Sequence, residues 1–153
     1  MSDSIAENWP KDAVKQSVTE KNLNNLISLV KNKKVFLASH WDADGLSSGA
    51  LIYHLIKDHV REIKTVSKGE PFLVTFDDIT NNPDIVLCVD IQPSSEIDPN
   101  KVILIDHHPN GGAQNYLMKF FDESSQSTSL LIWENLLKDT KAYAKNPYFI
   151  FLT

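Results

Sequence analysis

Apolar residues in this chain fall either into short unbroken runs or at helical spacing, and the alternation of the two predicts its architecture. Val35-Phe36-Leu37-Ala38, Ile85 to Val89 and Val102 to Ile105 are continuous apolar runs, the pattern of strands buried on both faces. Phe72 to Phe76 also reads as a strand, and Tyr148 to Leu152 as one more buried strand. Between them, Leu23, Leu26, Ile27 and Val30 give a helix over Lys21 to Lys31. A second helix is expected from Gly45 to about His59 and a third from Thr128 to Lys138, its stripe of Leu130, Leu131, Trp133, Leu136 and Leu137 facing the core. Ile56 to Lys68 reads as a polar stretch, and residues 1–20, interrupted by Pro10, as a polar lead-in. Buried strands alternating with helices predict an α/β fold, a mainly parallel sheet flanked by helices, as one domain over residues 21–153.

Composition narrows this picture only a little. A chain of 153 residues with 42% hydrophobic and 23% charged residues suits a single soluble domain. No apolar stretch is long enough to span a bilayer and no signal-peptide pattern is present, so a cytoplasmic location with no membrane partner is expected. Cys88 is the single cysteine and lies within an apolar run, which excludes an internal disulfide or a thiolate zinc site and makes it a core residue. The formal net charge of −5 argues against a surface that attracts phosphate everywhere. It leaves room for a nucleic-acid enzyme, because cations bound by clustered aspartates would reverse the local sign.

Chemistry gathers where strands are expected to end. After Val35 to Ala38 come His40, Asp42 and Asp44; after Ile85 to Val89 comes Asp90; after Val102 to Ile105 come Asp106, His107 and His108. Ligands bind at the carboxyl ends of parallel strands. In an extended segment the alternate spacing of His40, Asp42 and Asp44 would point all three side chains the same way. Carboxylates so crowded repel one another unless cations neutralise them, and two divalent ions are the natural solution. Oxygen donors with some imidazole suit manganese first, with magnesium the alternative. Gly45-Leu46-Ser47-Ser48-Gly49 is a small-residue helix opening that either accepts a phosphate or is simply a capped start.

Ser39-His40-Trp41-Asp42-Ala43-Asp44-Gly45, then Val89-Asp90, then Asp106-His107-His108 resembles, in order and spacing, the first three motifs of the DHH phosphoesterase family, over roughly Val35 to Leu137. Asp42-Ala43-Asp44-Gly45-Leu46-Ser47 is similar to the form found in RecJ-type exonucleases and their archaeal relatives. The resemblance implies His40, Asp42, Asp44, Asp90 and His107 as metal ligands, Asp90 bridging two ions, and Asp44, Asp90, His107 and His108 as the catalytic set. It also implies Asp106 as the group orienting the histidines, and Gly45, Ser47 and His108 at the phosphate. The implied activity is a metal-dependent phosphodiester hydrolase, a 5′-to-3′ exonuclease on single-stranded DNA or RNA with a place in DNA repair or replication. Two alternatives keep the same motifs: a phosphodiesterase for oligonucleotides or cyclic dinucleotides, and a weakly catalytic RecJ-like scaffold binding the replication protein GINS. Gln92 stands where many members have glycine, and the chain is expected to stop short of the family's fourth motif, an aspartate completing the metal site.

Other residues carry plainer readings. His54 and His59 are expected at the surface or in packing, Trp41 in the core rather than stacked on a base, and Lys31, Lys33 and Lys34 as a solvated run. Ser124 to Ser129 reads equally as a helix cap or a phosphate contact.

Overall fold

A computed structural model describes residues 17–109 and 114–142. In chain order these form α1 (Val18–Val30), β1 (Val35–His40), α2 (Ala43–Ile56), β2 (Val60–Val66), β3 (Leu73–Val74), β4 (Ile85–Val89), β5 (Gln92–Pro93), β6 (Val102–Asp106), β7 (Met118–Phe121) and α3 (Thr128–Ile132). α3 runs directly into a π-helical turn, Trp133–Leu137. Five strands pair in parallel in the order β2-β1-β4-β6-β7, with Leu37 opposite Leu87 and Leu87 opposite Ile103 at the centre. β3 and β5 form a separate two-stranded parallel pair.

The unbroken apolar runs explain why β1, β4 and β6 are central: every residue of β4 and β6 is buried, and alternate side chains supply two cores. Leu37, Leu87, Val89, Ile103 and Ile105 face a layer made by Leu26, Leu51, Ile52, Ile132 and Leu136 from the helices. Phe36, Ala38, Val86, Cys88 and Leu104 face the other way, with Val66 at the end of β2, against Val74, Ile91 and Ile97 from loops and short strands. Burial raises the Cys88 thiol far above its ordinary pKa, as an inert core residue requires.

Four expectations need correction. The polar stretch from Ile56 to Lys68 contains β2, and β7 was not anticipated; both are edge strands, and neither has the continuous apolar signature of the centre. The strand expected over Phe72 to Phe76 shrinks to Leu73–Val74, because Asp78 accepts hydrogen bonds from the backbone N–H and hydroxyl of Thr75 and draws the chain into a turn at Phe76–Asp78. α1 begins at Val18, inside the expected lead-in, because the Ser17 hydroxyl accepts from the Glu20 N–H and caps it. The helix over Thr128 to Lys138 is α-helical only to Ile132, after which Lys138 N–H reaches back to the Trp133 carbonyl at 2.7 Å. The strand expected at Tyr148 to Leu152 lies outside the described residues.

Candidate metal centre

The sheet order reverses at β1: the chain passes first to β2 on one side and then to β4 on the other. Such a switch point opens a crevice at the carboxyl ends of the strands. β1 ends at His40, β4 hands over to Asp90, and β6 ends at Asp106.

His40 and Asp42 meet, with Nδ1 3.0 Å from Oδ2, and Asp44 faces His107 Nε2 at 3.6 Å, but the three do not lie along an extended segment. β1 stops at His40 and α2 starts at Ala43, with Asp42 as the cap whose Oδ1 accepts from the Gly45 N–H at 2.9 Å. The turn is tight enough to need glycine. A Cβ on Gly45 would lie 2.4 Å from the His40 carbonyl oxygen, and one on Gly49, a turn later, 2.9 Å from the Ser39 Cβ. α2 therefore rests directly on β1. The N–H of Gly45 and the hydroxyl of Ser47, expected at a phosphate, are engaged within this turn; Ser47 Oγ donates to the carbonyls of Ala43 and Asp44 at 2.7 and 3.1 Å.

Asp90 sits at the middle of the cluster and is fully buried. Its backbone is left-handed, with φ at 59°, a region that aspartate tolerates better than most side chains. Its N–H is tied to the Ile105 carbonyl at 2.9 Å, and its Oδ1 accepts from the Thr128 hydroxyl at 2.7 Å. Oδ2 is buried without a partner. Desolvation, reinforced by the charges of Asp44, Asp42 and Asp106 against the Thr128 hydrogen bond, pushes the Asp90 carboxyl up to about 8. Asp42 is lowered instead: its burial is outweighed by the Gly45 N–H and by the charge of His40, whose Nδ1 lies 3.0 Å from Asp42 Oδ2.

The two histidines of the third motif are held differently. His108 Nδ1 donates to Asp106 Oδ1 at 2.8 Å, and the same oxygen receives the backbone N–H groups of His107 and His108. The His107 ring is oriented by a backbone group: its Nδ1 lies 3.0 Å from the Ser125 carbonyl oxygen. A carbonyl only accepts, so Nδ1 carries a proton and a neutral His107 presents a bare Nε2. That nitrogen is 3.6 Å from Asp44 Oδ2 and 3.7 Å from Asp90 Oδ1, too far for hydrogen bonds. Three electron-rich atoms facing one another across such gaps are the arrangement a cation satisfies. Asp90, His107 and His108 form one possible ligand group, and His40, Asp42 and Asp90 another, each with donor atoms within 4.8 Å. Asp90 is shared by both, and the donors are oxygen and imidazole nitrogen, a set that fits divalent manganese or magnesium.

Sequence reasoning left several supporting residues unassigned. Thr128 and Ser129, at the start of α3, donate their backbone N–H groups to the two oxygens of Asp44 at 2.7 and 3.0 Å. Ser127 caps the same helix by accepting from the Leu130 N–H. The run Ser124 to Ser129 thus caps α3, holds Asp44 and steadies His107; the signal in the sequence was its small hydroxyl-bearing residues. Gln92 donates to Asp106 Oδ2 at 3.3 Å and to the Pro109 carbonyl at 3.1 Å, tying the second motif to the third. Phe72 packs edge-on against His40 and His108, with ring centroids 4.5 and 4.7 Å apart. Trp41, expected in the core, is 40% exposed, because a side chain in the turn between β1 and α2 has no layer above it.

The profile of the DHH family, N-terminal domain, matches residues 34–150. Among solved structures, the chain is similar to an exonuclease RecJ bound to manganese, with a TM-score of 0.51 and 20% sequence identity. That similarity covers 73% of this chain and 36% of the RecJ chain, so this chain spans about a third of that protein's length. Curated protein sequences give no match.

Proposed function

The chain belongs to the DHH family, and from that premise we propose that it is a metal-dependent phosphodiester hydrolase of the RecJ type, acting from the 5′ end of single-stranded nucleic acid. Its ions, manganese first, are held by His40, Asp42, Asp44, Asp90 and His107. The observation that carries this proposal is the buried Asp90, which belongs to both possible ligand groups and whose Oδ2 is left without a partner. A core that leaves a carboxylate oxygen dry and unpaired is costly unless an ion completes it. When bound, such ions stabilise charge on a phosphoryl centre and make water a better nucleophile.

The protein's own groups divide the remaining work. Asp90, fixed by its backbone and by Thr128, would be the carboxylate common to both ions. The start of α3 holds Asp44 with two N–H donors, and the Ser125 carbonyl keeps His107 in the tautomer that offers Nε2. His108, held at Nδ1 by Asp106, keeps Nε2 for the scissile phosphate, where its protonated form donates to a non-bridging oxygen. The expected link to GINS finds no support in the fold or in the matches and forms no part of this assignment. A single-stranded oligonucleotide labelled at its 3′ end tests the proposal: Mn²⁺ should support release of nucleotides from the 5′ end, EDTA should stop it, and Asp44→Ala and His107→Ala should be folded but silent. Cleavage that survives EDTA, equal cleavage by the variants, or none by the folded Mn²⁺-loaded protein would end it. Shortening from the 3′ end would correct the polarity alone.

A further inference from the structure

Trp41 has no place in either core, yet it stands beside a site residue with two-fifths of its surface in water. Large aromatic side chains contribute most when buried, and one left exposed at the rim of a polar cluster does little for folding. Its ring centroid is 5.6 Å from that of His40. Phe72 then continues the aromatic surface from His40 to His108, wedged edge-on between the two imidazoles. An open indole therefore leads by unbroken ring contacts to the histidine assigned to the scissile phosphate.

A cation lies at the same place. The Lys68 ammonium is 6.0 Å from the Trp41 ring centroid, at the outer limit of a cation–π contact. Lys64, on the neighbouring strand, is already engaged by Glu70 and Asp78 at 3.2 and 3.3 Å. Lys68 is exposed and, among the described residues, held only by this long contact to the ring, so its ammonium can turn to a phosphate at little cost.

We propose that Trp41 is a stacking platform for the base nearest the scissile phosphate of a single-stranded nucleic acid, with Lys68 as the contact for a flanking phosphate. This rests on the hydrolase assignment above and adds the substrate contact that the metal cluster alone does not provide. A single strand is the fitting ligand because its bases are free to leave their own stack, and any base offers a π-face, so the platform grips the strand without reading its sequence. A flanking phosphate lies within the reach of a long lysine side chain once the base is seated.

The test measures binding of 3′-fluorescein decathymidylate and decauridylate by anisotropy in Ca²⁺, and cleavage of the same strands in Mn²⁺. Trp41→Ala should weaken binding about tenfold, and Trp41→Phe should recover most of the loss. An abasic residue at one of the first three positions from the 5′ end should cost the wild type about as much, and should cost Trp41→Ala nothing further. Lys68→Ala should lower the slope of log affinity against log salt by about 0.7, with no change in the abasic penalty. The deoxy and ribo strands should lose equally, since a stacked base is read through its ring. A loss confined to one sugar, or a Trp41→Ala protein that binds intact and abasic strands as the wild type does, would overturn the platform. If Mn²⁺-dependent cleavage continues with unchanged KM in Trp41→Ala, the platform falls and the hydrolase stands; if the wild type neither binds nor cleaves, both fall.

Discussion

The two faces of the central sheet are built from the same strands but covered in different ways. One lies under α1, α2, α3 and the π-helical turn, whose side chains interleave with Leu37, Leu87 and Ile103. The other lies under β3, β5, two short 3₁₀ turns and their loops. That second cover leaves a cavity of about 430 Å³ lined by Phe76, Ile79, Val86 and Ile97, at the end of the strands away from the metal cluster. The difference separates two tasks. Helices make a rigid floor that supplies Asp44 and its donors, whereas the looser cover sends Phe72 and Gln92 around the strand ends to touch His40, His108 and Asp106.

The largest effect should come where both regions meet. Asp90→Ala removes the carboxylate shared by both ligand groups, and Mn²⁺-dependent cleavage should fall by on the order of 10³-fold or more, measured with a single-stranded oligonucleotide. A milder loss would mean that the two ligand groups work without their common member.

Leu87→Ala and Leu104→Ala compare the faces directly, since both residues are fully buried in adjacent central strands and point to opposite covers. Leu87→Ala should cost about 4 kcal/mol, because packed helices collapse poorly into a cavity, and Leu104→Ala about 2.5 kcal/mol, because loops settle more easily. Equal costs in urea unfolding would erase the distinction between the covers.

Proton linkage probes the seam between floor and cover. Asp90 is raised in the folded protein, so in the metal-free state it favours folding most below its unfolded pKa near 3.8, and this contribution is lost as pH rises through about 8. The Tm in EDTA should therefore fall by on the order of 5 °C between pH 5.5 and 8, and Mn²⁺ should recover it at the upper end. Asp90→Asn should flatten the profile. A wild-type Tm in EDTA that rises over this range would contradict a protonated Asp90.

The smallest effect tests the floor alone. Ser127→Ala removes the cap of α3 and should cost about 1 kcal/mol. Because the same helix start holds Asp44, Mn²⁺ affinity measured by calorimetry should also fall. Loss of stability with unchanged affinity would show that the Asp44 contacts do not depend on the cap.

What the sequence disclosed follows the same division. Continuous apolar runs betrayed β1, β4 and β6, and helical spacing betrayed most of the helical face, because deep burial leaves a compositional mark. Only Val66 of β2 is fully buried, and Val-Arg-Glu-Ile-Lys-Thr-Val does not alternate cleanly, so an edge strand reads as a polar stretch. His40, Asp42, Asp44, Asp90, His107 and His108 are visible as residue types at strand ends, but a capped turn rather than an extended segment sets His40 against Asp42 and leaves Asp44 facing His107. Ser125, Thr128 and Gln92 were harder to see in these roles: two act through hydrogen bonds to residues far away in the chain, and Ser125 through a main-chain carbonyl that every residue possesses.

The left-handed backbone at Asp90 has a consequence for how the site opens. Its amide is hydrogen-bonded to Ile105 at the junction of two central strands, so hydrogen exchange there should proceed only through openings that separate β4 from β6. Fraying of a loop or of α1 leaves that junction intact. The carboxylate at the centre of the cluster thus shares the kinetic lifetime of the whole sheet, and an ion seated on it would escape through the mouth of the crevice far more often than through any loosening of the residue beneath it.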